Sequence, residues 1–244
     1  MFGRNTLASV VHHSTDGSTL SVKEVFHTIQ GEGPFAGMPA VFVRLAGCNL
    51  RCVWCDTDFD NGVDVHTFNL INQIRDMSVN HSLKVTTLVV ITGGEPLRQN
   101  IYPLTSALIT LGYSVQIETA GTTMPRELPS EVHIVCSPKT QVVHADIELR
   151  CKDWKYIVAA DDASDEDGLP HFPTQPTQKG NRKVFRGKGT IWVQPRFDYL
   201  ESYDVRKLVP DTESNARNVE HAVHIAMRYN YRLSLQIHKQ LNLP

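Results

Sequence analysis

No run of apolar residues in the 244-residue chain approaches the roughly 20 that a helix needs to cross a bilayer, which argues against a membrane protein. Basic charge is not in excess either. Lys and Arg number 24 against 26 Asp and Glu, for a net charge of −2 and a pI near 6.6, so the electrostatic footprint of a nucleic-acid-binding surface is missing. The opening residues, MFGRNTLASVVHHSTDG, lack the long apolar core and cleavage site of a secretory signal. Internal repeats and low-complexity tracts are absent. Cysteine is scarce: five residues, an odd and unevenly spread number, do not make a disulfide framework. Together these absences point to a cytoplasmic protein, in a reducing compartment that also suits thiolate-bound metal.

What is present is concentrated. Three of the five cysteines, Cys48, Cys52 and Cys55, fall within CNLRCVWCDT. Three thiolates can hold a metal, but a closed structural zinc site takes four ligands. Either Asp56 or a distant histidine completes the site, or an outside ligand does. Closely spaced cysteines are also the usual anchors of iron–sulfur clusters. Cys136 and Cys151 lie in or near strand patterns and read as core residues.

The 41% apolar content is enough for one large α/β domain or two small ones. Apolar, β-branched runs at 40–47, 86–92, 113–119, 131–138, 154–160 and 190–195 read as strands, with a last one at 231–237. Helical patterns separate them. One at 67–77 carries Phe68, Ile71, Ile74 and Met77 on one face. Another, IYPLTSALITLG, stops at Gly112. The clearest spans 212–230, with Thr212 or Ser214 as cap and Ala222, Ile225, Ala226 and Tyr229 inward. Such alternation implies a mostly parallel sheet with right-handed crossovers. Periodicity alone does not decide whether that sheet closes. The polar, Pro/Gly-rich segment 161–189 reads as a surface excursion.

Unusual residues collect at the expected C-terminal ends of strands: the cysteines after the first, GGEP after the second, ETAGT after the third and SPK after the fourth. In parallel α/β folds that edge hosts the active site. The small residues of TGGEP let backbone groups approach a ligand without an intervening side chain.

The C-x3-C-x2-C spacing, with aromatic Trp54 before the last cysteine, resembles the signature of radical S-adenosylmethionine (SAM) enzymes. Along Val22 to Pro244 the chain also resembles 7-carboxy-7-deazaguanine synthase, most specifically in EVFHTIQGEGPFAGMPAVFVRLAGCNLRCVWCDT and in the tail QIHKQLNLP. The resemblance implies an α/β fold: a modified, partial (β/α) radical SAM barrel with mostly parallel strands. It would form one domain over 21–244, behind an N-terminal extension at 1–20.

The implied activity is that of a carbon–nitrogen lyase in 7-deazapurine (queuosine) biosynthesis. It converts 6-carboxy-5,6,7,8-tetrahydropterin to 7-carboxy-7-deazaguanine with loss of ammonia, and SAM serves as a regenerated cofactor. By resemblance, Cys48, Cys52 and Cys55 carry a 4Fe–4S cluster, and SAM completes its free iron. Mg2+ would sit on Thr57. Trp54, Cys55, Asp56, Gly94, Glu95, Thr119, Ser137, Pro138, Lys139 and Gln194 would touch SAM. Ile29, Gln30, Gly31, Glu32, Arg44, Thr92, His238 and Pro244 would line the pterin site. The family also implies a homodimer and an electron donor such as flavodoxin. Two other readings share the cysteine loop: an activase that makes a glycyl radical on a partner enzyme, and a zinc-stabilised binding module.

Overall fold

Period-two alternation sorts the strand residues into two sets and so fixes the architecture. The computed structural model describes residues 5, 16–79, 86–125, 127–174, 183–200 and 209–244. Its strands are β1 (Thr19–Ile29), β2 (Pro39–Leu45), β3 (Val63–His66), β4 (Leu88–Gly93), β5 (Ser114–Thr119), β6 (His133–Cys136), β7 (Asp153–Val158), β8 (Thr190–Pro195) and β9 (Arg232–Leu233). Among the described residues they form one sheet in the order β3-β1-β2-β4-β5-β6-β7-β8-β9. From β2 to β9 every pairing is parallel, and β1 runs antiparallel to both β2 and β3. The expected α/β fold with a mostly parallel sheet, open as in a partial barrel, is therefore present.

One set of strand side chains makes the core. Val41, Val43 and Leu45 of β2, Val89 and Ile91 of β4, Val115 and Ile117 of β5, and Trp154, Tyr156 and Val158 of β7 are buried together. The helices α1 (Thr67–Ser78), α2 (Tyr102–Thr110), α3 (Ala145–Arg150) and α4 (Thr212–Tyr229) are the crossovers. They contribute Leu70, Ile74, Leu104, Leu108, Ile147, Ala222 and Ile225 to the same core. The other set faces the opposite way: Ala40, Leu88 and Val90 make a small second apolar cluster with Phe42, and Arg44, Thr92, Glu118, Lys155 and Gln194 are polar. Among the described residues, no helix is long and apolar enough to cross a membrane.

Several local expectations need correction. The buried stripe of α1 centres on Leu70 and Ile74, both 0% exposed, while Phe68 is 64% exposed. Ile71 and Met77 pack only at the border of the core. Ile74 thus lies on the predicted face, which Leu70 shares, and of the four expected residues Phe68 falls outside it. The cap of α4 is Asp211, whose side chain accepts from the Ser214 amide at 3.1 Å, and neither Thr212 nor Ser214 takes that role.

The predicted strand at 231–237 shortens to β9. After it Ser234 turns the chain: its amide bonds the Val193 carbonyl at 2.9 Å, and its hydroxyl accepts from the Gly33 amide at 2.9 Å. The tail then becomes a short helix, α5 (Ile237–Leu241). Within 161–189, Leu169 and Val184 are buried in the core, so this stretch is more than a surface excursion. Residues 175–182 lie outside the described residues, as do 1–4 and 6–15 of the expected N-terminal extension.

Candidate active site

The second set of strand side chains lines a cavity of about 670 Å³. Phe42 and Arg44 come from β2, Thr92 from β4, Glu118 from β5, Lys155 and Ile157 from β7, and Gln194 from β8. Parallel register sets Arg44 beside Thr92 and Ile157 beside Gln194. The loop after β2 and the tail from Gln236 to Pro244 complete the wall.

All three loop cysteines line this cavity. Gly47 leads into the loop at φ +81, and its amide bonds the Phe59 carbonyl at 3.0 Å, closing the loop at its base. Leu50 and Phe59 pack with Cys48, and Cys52 and Cys55 lie against them. Burial pushes the Cys48 thiol up to about 12, and neighbouring Glu95, Cys52 and Cys55 add to the rise. Burial likewise raises Cys55 to about 11, with Asp56 and Cys52 adding. These thiols therefore sense one another.

Lys139 is lowered by burial and by Lys155, while Cys52, Cys136 and Cys55 pull it back. Its ammonium sits 5.5 Å from the centre of the Trp54 ring. Among the described residues no three His, Cys, Asp or Glu side chains gather around a point suited to one metal ion. The fit to a cluster rests instead on the donor set: three mutually interacting soft thiols lining one cavity together with the half-buried Lys139 ammonium.

GGEP packs directly against that loop. A Cβ on Gly94 would stand 2.2 Å from the Gly47 carbonyl oxygen and 2.7 Å from the Cys48 Cβ, so only glycine fits. Glu95 does not line the cavity. It is fully buried, and its carboxylate accepts from the Leu97 amide (3.1 Å), the Thr119 hydroxyl (2.6 Å) and the Ala120 amide (2.8 Å). Burial raises its pKa against those bonds. Glu95 is thus a strut between the ends of β4 and β5.

Thr119 reaches the wall, although its hydroxyl is engaged by Glu95. Ser137 and Lys139 line the cavity and bond each other, while Pro138 is not part of the wall. Gln194 does line it, and accepts from the Ser234 hydroxyl at 3.2 Å. Trp54, Asp56 and Thr57 are also on the wall.

The same cavity carries a charged cluster. Lys155 donates to Glu32 and lies 3.6 Å from Glu118. Gln30 donates to Glu118 at 3.0 Å and accepts from the Glu32 amide at 3.0 Å. Gln236 donates to Glu32 at 2.9 Å. Burial would raise the Glu32 carboxyl, yet the Lys155 ammonium and the bonds from Lys155 and Gln236 outweigh it and bring it down to about 2. Burial would lower Lys155, and Glu118 and Glu32 reverse that, leaving it raised. Glu32 and Lys155 are therefore ionised at neutral pH.

His238 is held low by burial, against the pull of Glu32. Gly31 does not line the cavity, but a Cβ there would stand 2.3 Å from His238 Nδ1, and this close approach lets the tail seat. The Ile237 amide bonds the Gly31 carbonyl at 3.2 Å. Ile29, Arg44, Thr92, His238 and Pro244 are all on the wall. Arg44 donates to Glu24 at 2.6 Å and lies over the Phe26 ring.

The structure thus gathers eighteen of the predicted site residues around one cavity, leaving Gly31, Glu95 and Pro138 behind the wall. It also adds residues that the sequence reading missed: Lys155, Glu118, Gln236 and Lys239. The signal for Lys155 was available. A lysine in the middle of the apolar run DWKYIV cannot lie in a packed core without a partner.

No family model matches the chain. Curated relatives do. A 7-carboxy-7-deazaguanine synthase from Rhodospirillum rubrum is 41% identical over 246 residues, covering all of both chains. One from Rickettsia prowazekii is 37% identical over 249 residues, covering all of this chain and 96% of its own. The crystal structure of QueE from Escherichia coli superposes with a TM-score of 0.64 at 26% identity, over 91% of this chain and 96% of that one. On this full-length identity, and with the motif residues gathered on one cavity wall, the chain belongs to the 7-carboxy-7-deazaguanine synthase family.

Proposed function

We propose that the chain converts 6-carboxy-5,6,7,8-tetrahydropterin to 7-carboxy-7-deazaguanine with release of ammonia, as a carbon–nitrogen lyase. The observation that carries this reading is one cavity lined both by the three thiols and by the Glu32–Lys155–Glu118 cluster. Cys48, Cys52 and Cys55 would hold a 4Fe–4S cluster, with SAM on its remaining iron. When bound, that pair supplies one-electron radical chemistry at C6 of the pterin.

The chain's own residues select and orient. Glu32, ionised by Lys155, accepts hydrogen bonds from a 2-aminopyrimidinone edge. Lys155 and Gln236 each hold one Glu32 oxygen, so the carboxylate is fixed in place and ionised before the substrate arrives, and it selects by position. Arg44 gives its Nε to Glu24, and the rest of its planar fork suits a carboxylate. Ser137, Lys139 and Gln194 supply polar groups for SAM beside the thiols. Gly94, which packs against Gly47 and Cys48, brings the end of β4 up to the thiols where SAM would bind. The tail from Gln236 to Pro244 keeps water from the pterin.

Thr57 would carry Mg2+, a hard ion that keeps several waters. The same reading includes a homodimer, a single domain over 21–244, and a cytoplasmic electron donor such as flavodoxin.

The test is direct. Air-free reconstituted protein with reductant, SAM and the carboxy-tetrahydropterin should yield the deazaguanine acid by mass spectrometry, and Cys52→Ala should yield none. Stoichiometric consumption of SAM without that product would overturn the reading, as would normal turnover by Cys52→Ala.

A further inference from the structure

Asn5 stands alone among the first fifteen residues in being described, and it lies far in sequence from what it touches. Its side chain is 2% exposed. The amide nitrogen donates to the Thr57 carbonyl at 2.8 Å, and the amide oxygen accepts from the Phe59 amide at 2.9 Å. A buried side-chain amide with both ends bonded to backbone two residues apart is a staple. It holds the segment directly after Cys55.

Two further contacts show what this holding accomplishes. The Phe59 carbonyl already bonds the Gly47 amide at 3.0 Å, so Phe59 is gripped on both sides, by the residue before Cys48 and by Asn5. The Thr57 carbonyl that Asn5 fixes also lies 3.8 Å from the Cys55 sulfur. The loop carrying the three thiols is thereby closed at its base, and its far end is pinned from outside the sheet.

We infer that Asn5 is a positioning residue for the cysteine loop: it sets Cys55 and the Thr57 hydroxyl through the backbone of Thr57 and Phe59, without touching substrate or cofactor. The inference rests on the proposed cluster site. It gives the N-terminal segment a part in the chemistry that none of the cysteine, GGEP or tail motifs provides. Supporting partners of metal ligands act in this way, and their loss typically weakens metal retention by about 10–100-fold.

The test compares wild type with Asn5→Asp and Asn5→Ala, all reconstituted without oxygen. Asn5→Asp keeps the acceptor for Phe59 but sets a carboxylate oxygen against the Thr57 carbonyl, so it drives apart the contact nearest Cys55, while Asn5→Ala removes both contacts without adding charge. Three readouts are taken: thermal melting of the metal-free protein, iron and sulfide per chain, and the rate at which a chelator bleaches the cluster absorption. Metal-free Asn5→Asp should still unfold cooperatively but melt about 6–20 °C below wild type, as expected for a buried, uncompensated carboxylate in a chain of this size. Its cluster should bleach about 10-fold faster, and Asn5→Ala should bleach at least as fast.

Bleaching at the wild-type rate in both variants would overturn the inference. So would a large melting shift with unchanged bleaching, which marks a purely structural role. Failure of wild type to take up iron would instead sink the cluster reading itself, so the two failures are distinguishable.

Discussion

Replacing Lys155 by methionine removes the ammonium that Glu32 and Glu118 share while keeping most of the side-chain volume. Lys155 is 6% exposed at its side chain, Glu32 13% and Glu118 19%, so solvent can do little to replace it. At the 3.6 Å separation from Glu118, a unit pair in an effective dielectric of about 20 attracts by about 4–5 kcal/mol. Desolvation of the ions offsets much of that in the intact cluster. Removing one partner still leaves buried carboxylates uncompensated, at a cost of about 3–5 kcal/mol. In a chain of this size that lowers melting by roughly 6–20 °C.

The pH dependence should change as well. In wild type the Glu32 carboxyl is depressed to about 2 by Lys155 and Gln236 against burial, so its stabilisation is full above the ordinary carboxylate range and is lost as pH falls towards 2. Without Lys155, burial dominates and raises the carboxyl. Its contribution then reverses: the variant gains stability as pH falls from 7.5 to 5 and the group takes up a proton. Melting of metal-free protein across that range measures both effects, and Glu32→Gln in the Lys155→Met background should recover part of the loss. A Lys155→Met protein that melts within about 2 °C of wild type at pH 7.5 and follows the same pH curve would refute the reasoning.

Other expectations concern the rest of the wall. Lys239 bonds Asp56 and lies 4.1 Å from the centre of the Phe197 ring, joining the tail to the cysteine loop. Lys239→Ala should therefore raise the KM for the pterin about 10-fold, the worth of one charge-assisted hydrogen bond, with little change in iron content. Gly94→Ala forces a Cβ into the Gly47 carbonyl. It should destabilise the fold by about 1–3 kcal/mol and reduce iron uptake, measured as iron per chain. His238 is depressed by burial, so the unfolded chain binds its proton first and stability falls as pH drops through about 6.5. His238→Gln should show a shallower fall between pH 7 and 5.5 in parallel melts.

The parallel strands were legible because each is a short apolar run closed by a turn signal, and Gly112 ended α2 where expected. The antiparallel β1 was harder to see. TLSVKEVFHTI alternates around a bulge at Val22–Glu24, which breaks the period-two pattern. β3 and α3 are too short for any periodicity to register. Motif residues announced the cavity wall on both sides, yet Glu95 shows the limit of that signal. A glutamate after two glycines reads as a ligand group, whereas three buried donors claim its carboxylate inside the fold. Contacts such as Asn5 to Phe59 or Gln236 to Glu32 span 54 and 204 residues, and nothing local encodes them.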